Sequence, residues 1–169
     1  MRIIGLDPGL QRTGWGVIEA DGPRLRFVAC GAVQSTAERA LAERLETIFQ
    51  GLRGVIAGHG PFEAAVEETV VNRNALSSLK LGHARGVVLL AASVSGLVVT
   101  EYAAKKVKRS VTGTGNAAKD QVAHMVRMLL PGAGEPTGDA ADALAVAICH
   151  AHYRMTARQI ERRHAGVGA

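Results

Sequence analysis

The chain has 169 residues, 47% of them hydrophobic, which is enough for one domain with a buried core. Its apolar runs are too short to span a membrane and its N-terminal run is too short for a signal peptide, so a cytoplasmic protein without membrane contact is expected. Cys30 and Cys149 lie in apolar surroundings, which favours reduced core thiols over a disulfide.

The net charge of +5 is concentrated in two parts of the chain. Residues 101–131 hold six basic side chains against two acidic ones, and residues 154–169 hold four against one. Such concentrated basic charge favours a polyanionic partner, for example nucleic acid. A solvated lysine face would leave the same pattern.

The first third of the chain predicts three strands. The short apolar run "RIIGLD" ends on an acid and predicts a buried strand. The stretches "WGVIEADG" and "RLRFVACGAVQ", joined through Gly22-Pro23, predict two more strands in an antiparallel meander.

The rest of the chain alternates between helical and strand periodicity. The predicted elements are a helix over 37–57, the strand "FEAAVE", a helix over 74–95, the strand "LVVTEY", two basic helices over 103–110 and 117–130, and a last helix over 138–153. This order is typical of an α/β fold with a mixed five-stranded sheet flanked by helices, in which right-handed crossovers make the later strands parallel to the first. We expect one domain over 1–153 and a basic, flexible tail over 154–169.

Four carboxylates stand at positions where an unneeded charge is least expected. Asp7 and Glu67 each close an apolar strand, and Asp139 and Asp142 open an apolar helix on one face. Parallel neighbouring strands would bring the first two acids to the carboxyl edge of the sheet. Converging carboxylates repel one another, and a hard divalent cation with oxygen ligands, such as Mg²⁺ or Mn²⁺, resolves that conflict.

Each acid also has a simpler interpretation. Asp139 and Asp142 could be an N-terminal capping pair, with Asp139 as the cap. Asp7, which precedes Pro8-Gly9, could form a turn, and Glu67 could be a solvated strand end. The joint pattern of four acids beside apolar runs favours a shared site.

Four segments together carry a resemblance to a known family. They are "IIGLDPGLQRTGWGVI", "AVEETVVNRNALSSLKLGHARGVVL", "TEYAAKKVKRSVTGTGNAAKDQVAHMVRMLL" and "GDAADALAVAICHAH". In this order, over about residues 2–153, the chain resembles the RuvC family of Holliday-junction endonucleases. "LKLGHARG" and "DAADALA" are the most specific segments, whereas "LDPG" also occurs in actin-like ATPases.

The resemblance implies a ribonuclease-H-like fold and a homodimer that nicks opposed strands of a four-way DNA junction and leaves ligatable 5′-phosphate ends. Asp7, Glu67, Asp139 and Asp142 match the family's metal-binding acids, with two Mg²⁺ ions expected per site, Mn²⁺ as an alternative, and Asp7 as the bridging ligand. A branch-migration motor complex is an implied partner.

Basic and polar residues supply the expected DNA contacts. Lys108 and Lys119 match family positions near the junction backbone, and Lys119 is expected to assist the transition state. Arg73, Asn74, Lys80 and Arg85 are further expected contacts. The loop "TGTGN" before Lys119 could bind phosphate, or it could be an ordinary loop with Asn116 as N-cap.

The chain departs from the family after Glu67. Relatives usually carry one or two aromatic residues there, which can stack on bases opened at the crossover, and this chain has Val70 and Val71. An apolar wedge is still possible, but a stacking platform is lost.

Three other functions are compatible with parts of the pattern. An actin-like ATPase or sugar kinase would use "DPGLQRTG" as a phosphate loop, but such enzymes need two related domains. A related nuclease for RNA hybrids or ordinary duplexes would carry the same acids. A DNA-binding module without chemistry would leave those acids unexplained.

Overall fold

The computed structural model describes residues 1–68 and 74–166, and side chains as far as residue 161. Its centre is a five-stranded sheet of order β3-β2-β1-β4-β5. The strands are β1 (Arg2–Asp7), β2 (Arg12–Asp21), β3 (Arg24–Gln34), β4 (Glu63–Glu68) and β5 (Val98–Ala103). The sheet is mixed, as predicted, because the first three strands are antiparallel and β1, β4 and β5 are parallel.

Helices cover both faces of the sheet. They are α1 (Leu41–His59), α2 (Ala75–Val94), α3 (Ala104–Thr112), α4 (Lys119–Leu129) and α5 (Gly138–Gly166), with a 3₁₀ turn at Pro131–Ala133. One apolar core lies between the sheet and α3, α4 and α5, and the other lies between the sheet and α1 and α2. Successive side chains of a strand point to opposite faces of the sheet and so belong to different cores. For example, Ile3 packs in the first core and Ile4 in the second.

Helix α5 crosses the sheet at unusually short distance because the strands carry glycine beneath it. A Cβ atom at Gly5 would lie 2.0 Å from the Ala143 carbonyl oxygen, and one at Gly16 would lie 2.7 Å from the Leu144 side chain. The helix between Ala140 and Ala151 is almost completely buried. The apolar sequence of α5 is therefore explained by its position against the middle of the sheet.

The main differences from the predicted elements are at helix ends. Helix α1 begins at Leu41 rather than at residue 37, and α5 continues to Gly166 rather than ending at residue 153. No glycine or proline interrupts the chain between residues 139 and 165, and Arg154 pairs with Glu63 at the start of β4, so the helix has no reason to stop at the edge of the core. The division into a domain and a tail stays a prediction.

Two smaller expectations concern the core and the membrane. Cys30 and Cys149 are both free, as predicted. Within residues 1–68 and 74–166, none of the helices combines the length and apolar character of a membrane span.

Candidate active site

Asp7 and Glu67 lie next to each other at the carboxyl edge of the sheet. Leu6 pairs with Val66 across the parallel strands β1 and β4, so the acids stand one position further along in the same register. Side chains two residues apart on a strand lie on the same face of the sheet. Asp7 and Glu67 therefore lie on the same face as Gly5 and Ala65, which face α5. The prediction that these strands are parallel neighbours is confirmed.

Asp142 and Asp139 reach the same edge from α5. Asp139 lies in the first turn of the helix, directly over β2, since a Cβ atom at Gly14 would be only 2.1 Å from its carbonyl oxygen. Gly14 pairs with Asp7. The alternative interpretation, in which Asp139 is the helix N-cap, is excluded, because the helix begins at Gly138 and its first backbone bond runs from Ala141 N–H to the Thr137 carbonyl.

Three of the four acids line one pocket of about 120 Å³. Its walls comprise Asp7, Glu67, Asp142, Lys108, Lys119, Ala104, Val107, Val122 and Ala145. The first three supply carboxylates, the two lysines supply positive charge, and the alanines and valines come from α3, α4 and α5. The pocket is therefore small and lined by both charged and apolar side chains.

The pocket raises the pKa values of its carboxyl groups. Burial, together with the nearby charges of Glu67 and Asp142, raises the pKa of Asp7 to about 7, although Lys119 lowers it. Burial and the charge of Asp142 likewise raise the pKa of Glu67 to about 7. The acids are thus close enough to repel one another, which disfavours their simultaneous ionisation in the absence of a cation.

Basic side chains hold the two acids of α5. Lys119 Nζ lies 3.1 Å from Asp142 Oδ2, and Arg12 Nε lies 2.7 Å from Asp139 Oδ2. The hydrogen bond to Asp142 raises the pKa of Lys119. Because the Lys119 side chain is 85% exposed, its pair is screened by solvent and easily exchanged.

The carboxylates are not arranged as a finished metal centre. Among the described residues, no three acidic, histidine or cysteine side chains stand close enough together to hold a metal ion in these positions. Asp139 does not line the pocket. The donor set itself fits a hard cation, since all four side chains offer carboxylate oxygens.

A buried clamp fixes the loop that follows Asp7. Thr13 Oγ1 donates to the Gly9 carbonyl at 2.8 Å, and the Thr13 side chain is fully buried. Ser35 Oγ donates to the Leu10 carbonyl, and Arg44 of α1 donates to both Ser35 Oγ and that carbonyl, at 3.1 and 3.3 Å. The turn between Asp7 and Arg12 is therefore rigidly positioned.

The loop "TGTGN" places Lys119 at the start of α4. One alternative predicted Asn116 as the N-cap of α4, and the structure does not show this. The cap is Ala118, whose N–H donates to the Gln121 side chain at 2.9 Å. Gly113 ends α3 with positive φ, which lets the chain turn sharply. Lys119 is thereby the first residue of α4, beside the pocket.

The remaining predicted DNA contacts have different local roles. Asn74 caps α2 by accepting from Ser77 N–H at 3.1 Å, Lys80 is exposed on α2, and Arg85 forms an ion pair with Glu101 of β5. Arg73 lies outside the described residues, as do Val70 and Val71. Their contacts with DNA stay predictions.

Sequence reasoning missed Arg12 and a buried polar network around the middle of α5. Tyr102 O–H donates to His150 Nδ1 at 2.9 Å, His150 Nε2 lies 2.8 Å from Glu63 Oε2, and Arg154 pairs with Glu63. The spacing of 150 and 154 on one helix face was the available signal. The same helix thus pairs with β4 near its middle and presents acids in its first turns.

Comparison with known proteins shows a similar fold and a similar sequence over nearly the whole chain. The family model described as crossover junction endodeoxyribonuclease RuvC matches residues 3–150. The RuvC proteins of Paramagnetospirillum magneticum and Rhodospirillum rubrum are 61% and 57% identical, with coverage of 96% and 99% of this chain and 98% and 99% of theirs.

A solved structure agrees with these relatives. "T. thermophilus RuvC in complex with Holliday junction substrate" superposes with a TM-score of 0.86 at 34% identity, over 93% of this chain and 96% of that chain. The ribonuclease-H-like fold expected from the sequence is confirmed by this neighbour. The chain belongs to the RuvC family of crossover junction endodeoxyribonucleases.

Proposed function

We propose that this protein is a structure-selective endonuclease that resolves four-way DNA junctions by paired, symmetric nicks, in recombination and DNA repair. The observation that carries the proposal is the pocket in which Asp7, Glu67 and Asp142 meet beside Lys108 and Lys119. Sequence and structural neighbours named as RuvC, one of them solved with a Holliday junction, support the substrate class.

The proposed cofactor is Mg²⁺, two ions per site, with Mn²⁺ as an alternative. Asp7, Glu67, Asp139 and Asp142 would hold the ions, which requires the last two acids to leave Arg12 and Lys119. The raised pKa values of Asp7 and Glu67 support the fit, because negative charge gathers here and the nearby lysines offset it only in part. Bound cations would lower the pKa of an attacking water and stabilise charge on the departing oxygen.

The protein's own side chains would perform the other tasks. Asp7, held at the end of a central strand, is the most rigid of the acids and our choice as the shared ligand. Lys119 and Lys108 would bind the scissile phosphate and offset the charge that grows in the transition state. Val107 and Val122 would limit the access of bulk water.

The proposed homodimer would use the outer face of α2, defined here as Leu76, Leu79, Leu90 and Val94. These four side chains are each more than half exposed and repeat at helical spacing, with the exposed Gly82 and Gly86 between them. The exposed His83 lies on the same face between Leu79 and Leu90. An apolar stripe of this extent is typical of an interface, and a stripe on one helix can pair with its own copy about a two-fold axis. The acidic pockets of the two subunits would then each contact one DNA strand of the junction.

The branch-migration motor complex is proposed as a partner on the family resemblance alone.

The exposed basic residues of α3, α4 and α5 would add non-specific attraction to DNA. Lys106 differs from its neighbours, because its Nζ lies over the rings of Tyr153 and Tyr102, at 4.1 and 5.2 Å from their centroids. Its charge is therefore partly engaged within the protein.

The proposal is tested by cleavage of a synthetic mobile four-way junction. A matched linear duplex and an RNA–DNA hybrid serve as competing substrates, each with Mg²⁺, Mn²⁺ or EDTA. We expect paired, symmetric nicks only in the junction and only with metal. Cutting of the RNA–DNA hybrid would indicate a nuclease of the same fold with a different substrate. Binding of the junction without nicking under every condition would indicate a DNA-binding module without catalytic activity.

The metal assignment is tested with Asp7→Asn. This variant should bind the junction as well as the parent and lose cleavage, because the carboxylate serves metal rather than DNA. The matched control is Asp21→Asn, an exposed acid at the opposite edge of the sheet. Normal cleavage by Asp7→Asn would refute the assignment.

A further inference from the structure

The backbone of Asp139 lies near the strand that carries Asp7, whereas its side chain is directed to Arg12. Its backbone lies against Gly14, and Gly14 is the β2 partner of Asp7. Its carboxylate nevertheless pairs with Arg12 at 2.7 Å and does not line the pocket. Rotation of one side chain would therefore carry this carboxylate from Arg12 towards the other acids.

Arg12 is well placed to hold that carboxylate outside. It is the first residue of β2, where it pairs with Gln34, and it follows the turn fixed by Thr13, Ser35 and Arg44. The guanidinium thus extends from a rigid backbone. The side chains of Arg12 and Asp139 are 43% and 38% exposed, so their ion pair is weak enough to exchange.

We infer that Arg12 is a positioning residue that holds Asp139 outside the acidic pocket until a divalent cation draws the carboxylate inward. The inference rests on the proposed function, since it requires that these acids bind metal. It assigns to Arg12 a role in metal loading that is distinct from binding DNA.

The charges in the pocket explain why such a device is useful. Asp7, Glu67 and Asp142 already repel one another, and Asp139 raises the pKa of Asp7 even from its place beside Arg12. Moving this fourth carboxylate into the pocket would strengthen the repulsion while no cation is bound. A divalent cation reverses the balance, because each added carboxylate then strengthens its binding. One carboxylate oxygen cannot accept from Arg12 and ligate a cation in the pocket in the same orientation, so the arginine competes with the metal.

The test is the affinity of the DNA-free protein for Mn²⁺, measured by the electron paramagnetic resonance signal of the free ion. Arg12→Gln should bind Mn²⁺ about two- to fivefold more tightly than the parent, which is the free energy of an exposed ion pair expressed as affinity. Arg24→Gln removes the same charge at the opposite edge of the sheet and should leave the affinity unchanged. Thermal unfolding checks that both variants fold.

A double-mutant cycle separates the contact from a general effect of charge. In the Asp139→Asn background, Arg12→Gln should no longer change Mn²⁺ affinity. Persistence of the full effect in that background would overturn the inference, as would equal or weaker binding by Arg12→Gln alone.

The same measurement distinguishes the inference from the proposed function. If the parent binds Mn²⁺, Asp7→Asn does not, and Arg12→Gln behaves as the parent, the metal site stands and only the role of Arg12 fails. If the parent binds no Mn²⁺ up to millimolar concentrations, the metal site and the role of Arg12 fail together.

Discussion

Gly5 lies directly beneath the carbonyl group of Ala143: a Cβ atom at residue 5 would stand 2.0 Å from that oxygen and 2.6 Å from the Ala147 nitrogen. The contact sets the distance between the central strand and α5. Because Asp7 lies two residues along β1 and Asp142 immediately precedes Ala143, this distance also sets the depth of the acidic pocket.

Gly5→Ala should destabilise the protein by about 3 kcal/mol or more, since both contacts are backbone atoms that cannot move aside. The matched control is Gly54→Ala on the exposed face of α1, where an added methyl meets nothing within 4 Å and should stabilise by about 0.5–1 kcal/mol. Urea unfolding measures both. Equal stability of the two variants would show that α5 can move away from the sheet at little cost.

Asp7→Asn should be more stable than the parent at pH 8 in the absence of divalent cations. The pKa of Asp7 is raised to about 7 in the folded state, chiefly by burial, so its ionisation opposes folding. The folded state holds the proton more strongly, and stability therefore falls as pH rises from about 4 to 7. The variant should escape this loss, by an amount on the order of 2 kcal/mol. Thermal unfolding between pH 5 and 8 measures this difference in stability, with Asp21→Asn as the control. An Asp7→Asn variant that is less stable than the parent at pH 8 would contradict the prediction.

Lys119→Ala should reduce junction cleavage by about 10- to 100-fold, because it removes a cation beside the reacting phosphate. Its stability should change by less than about 1 kcal/mol, since the side chain is 85% exposed. Lys105→Ala removes the same charge from the exposed face of α3, outside the pocket, and should cleave nearly as well as the parent. Single-turnover cleavage rates separate the two. A large loss of stability with a normal rate would make Lys119 a structural residue.

Leu79→Glu should convert the proposed dimer into a monomer, because it places a charge in the middle of the outer face of α2. Met128→Glu on α4 is the control, since this methionine is equally exposed and lies on another helix. Sedimentation equilibrium gives the oligomeric state of each. A Leu79→Glu variant that stays dimeric would place the interface elsewhere.

The buried His150 should make the protein less stable in acid. Burial lowers the pKa of His150, and protonation would also cost the hydrogen bond that Nδ1 accepts from Tyr102. The unfolded state then takes up the proton more readily, so stability is present above the unfolded value of about 6.5 and is lost as pH falls below it. His150→Gln should lose less stability than the parent between pH 7.5 and 5.5. The control is His124→Gln, at an exposed histidine, which should lose as much stability as the parent over this pH range. If His150→Gln also loses as much stability as the parent, His150 is not the cause of the acid sensitivity.

Much of the fold follows from local patterns. Residues 2–7 and 63–68 are short apolar runs that end in acids, and a right-handed crossover through α1 makes such strands parallel neighbours. Asp7 and Glu67 could therefore be predicted to meet at one edge. The helical spacing of Asp139 and Asp142 likewise follows from the sequence alone, because residues three apart share a helix face. The end of α5 was predicted too early, although no glycine or proline stands between residues 139 and 165. The pairing of Arg154 with Glu63, which supports the helix past residue 153, is visible only in the tertiary structure.

The sequence by itself determined which acids reach the carboxyl edge of the sheet, because strand ends and helix periodicity are local properties. Only the tertiary structure decided what each acid does there. Arg12 and Asp139 are distant in the chain, and their pairing depends on the turn that carries β2 back beneath the first turn of α5. The raised pKa values of Asp7 and Glu67 depend on burial and on neighbours from other elements. Electrostatic environment is set by distances in space, which the order of residues does not contain.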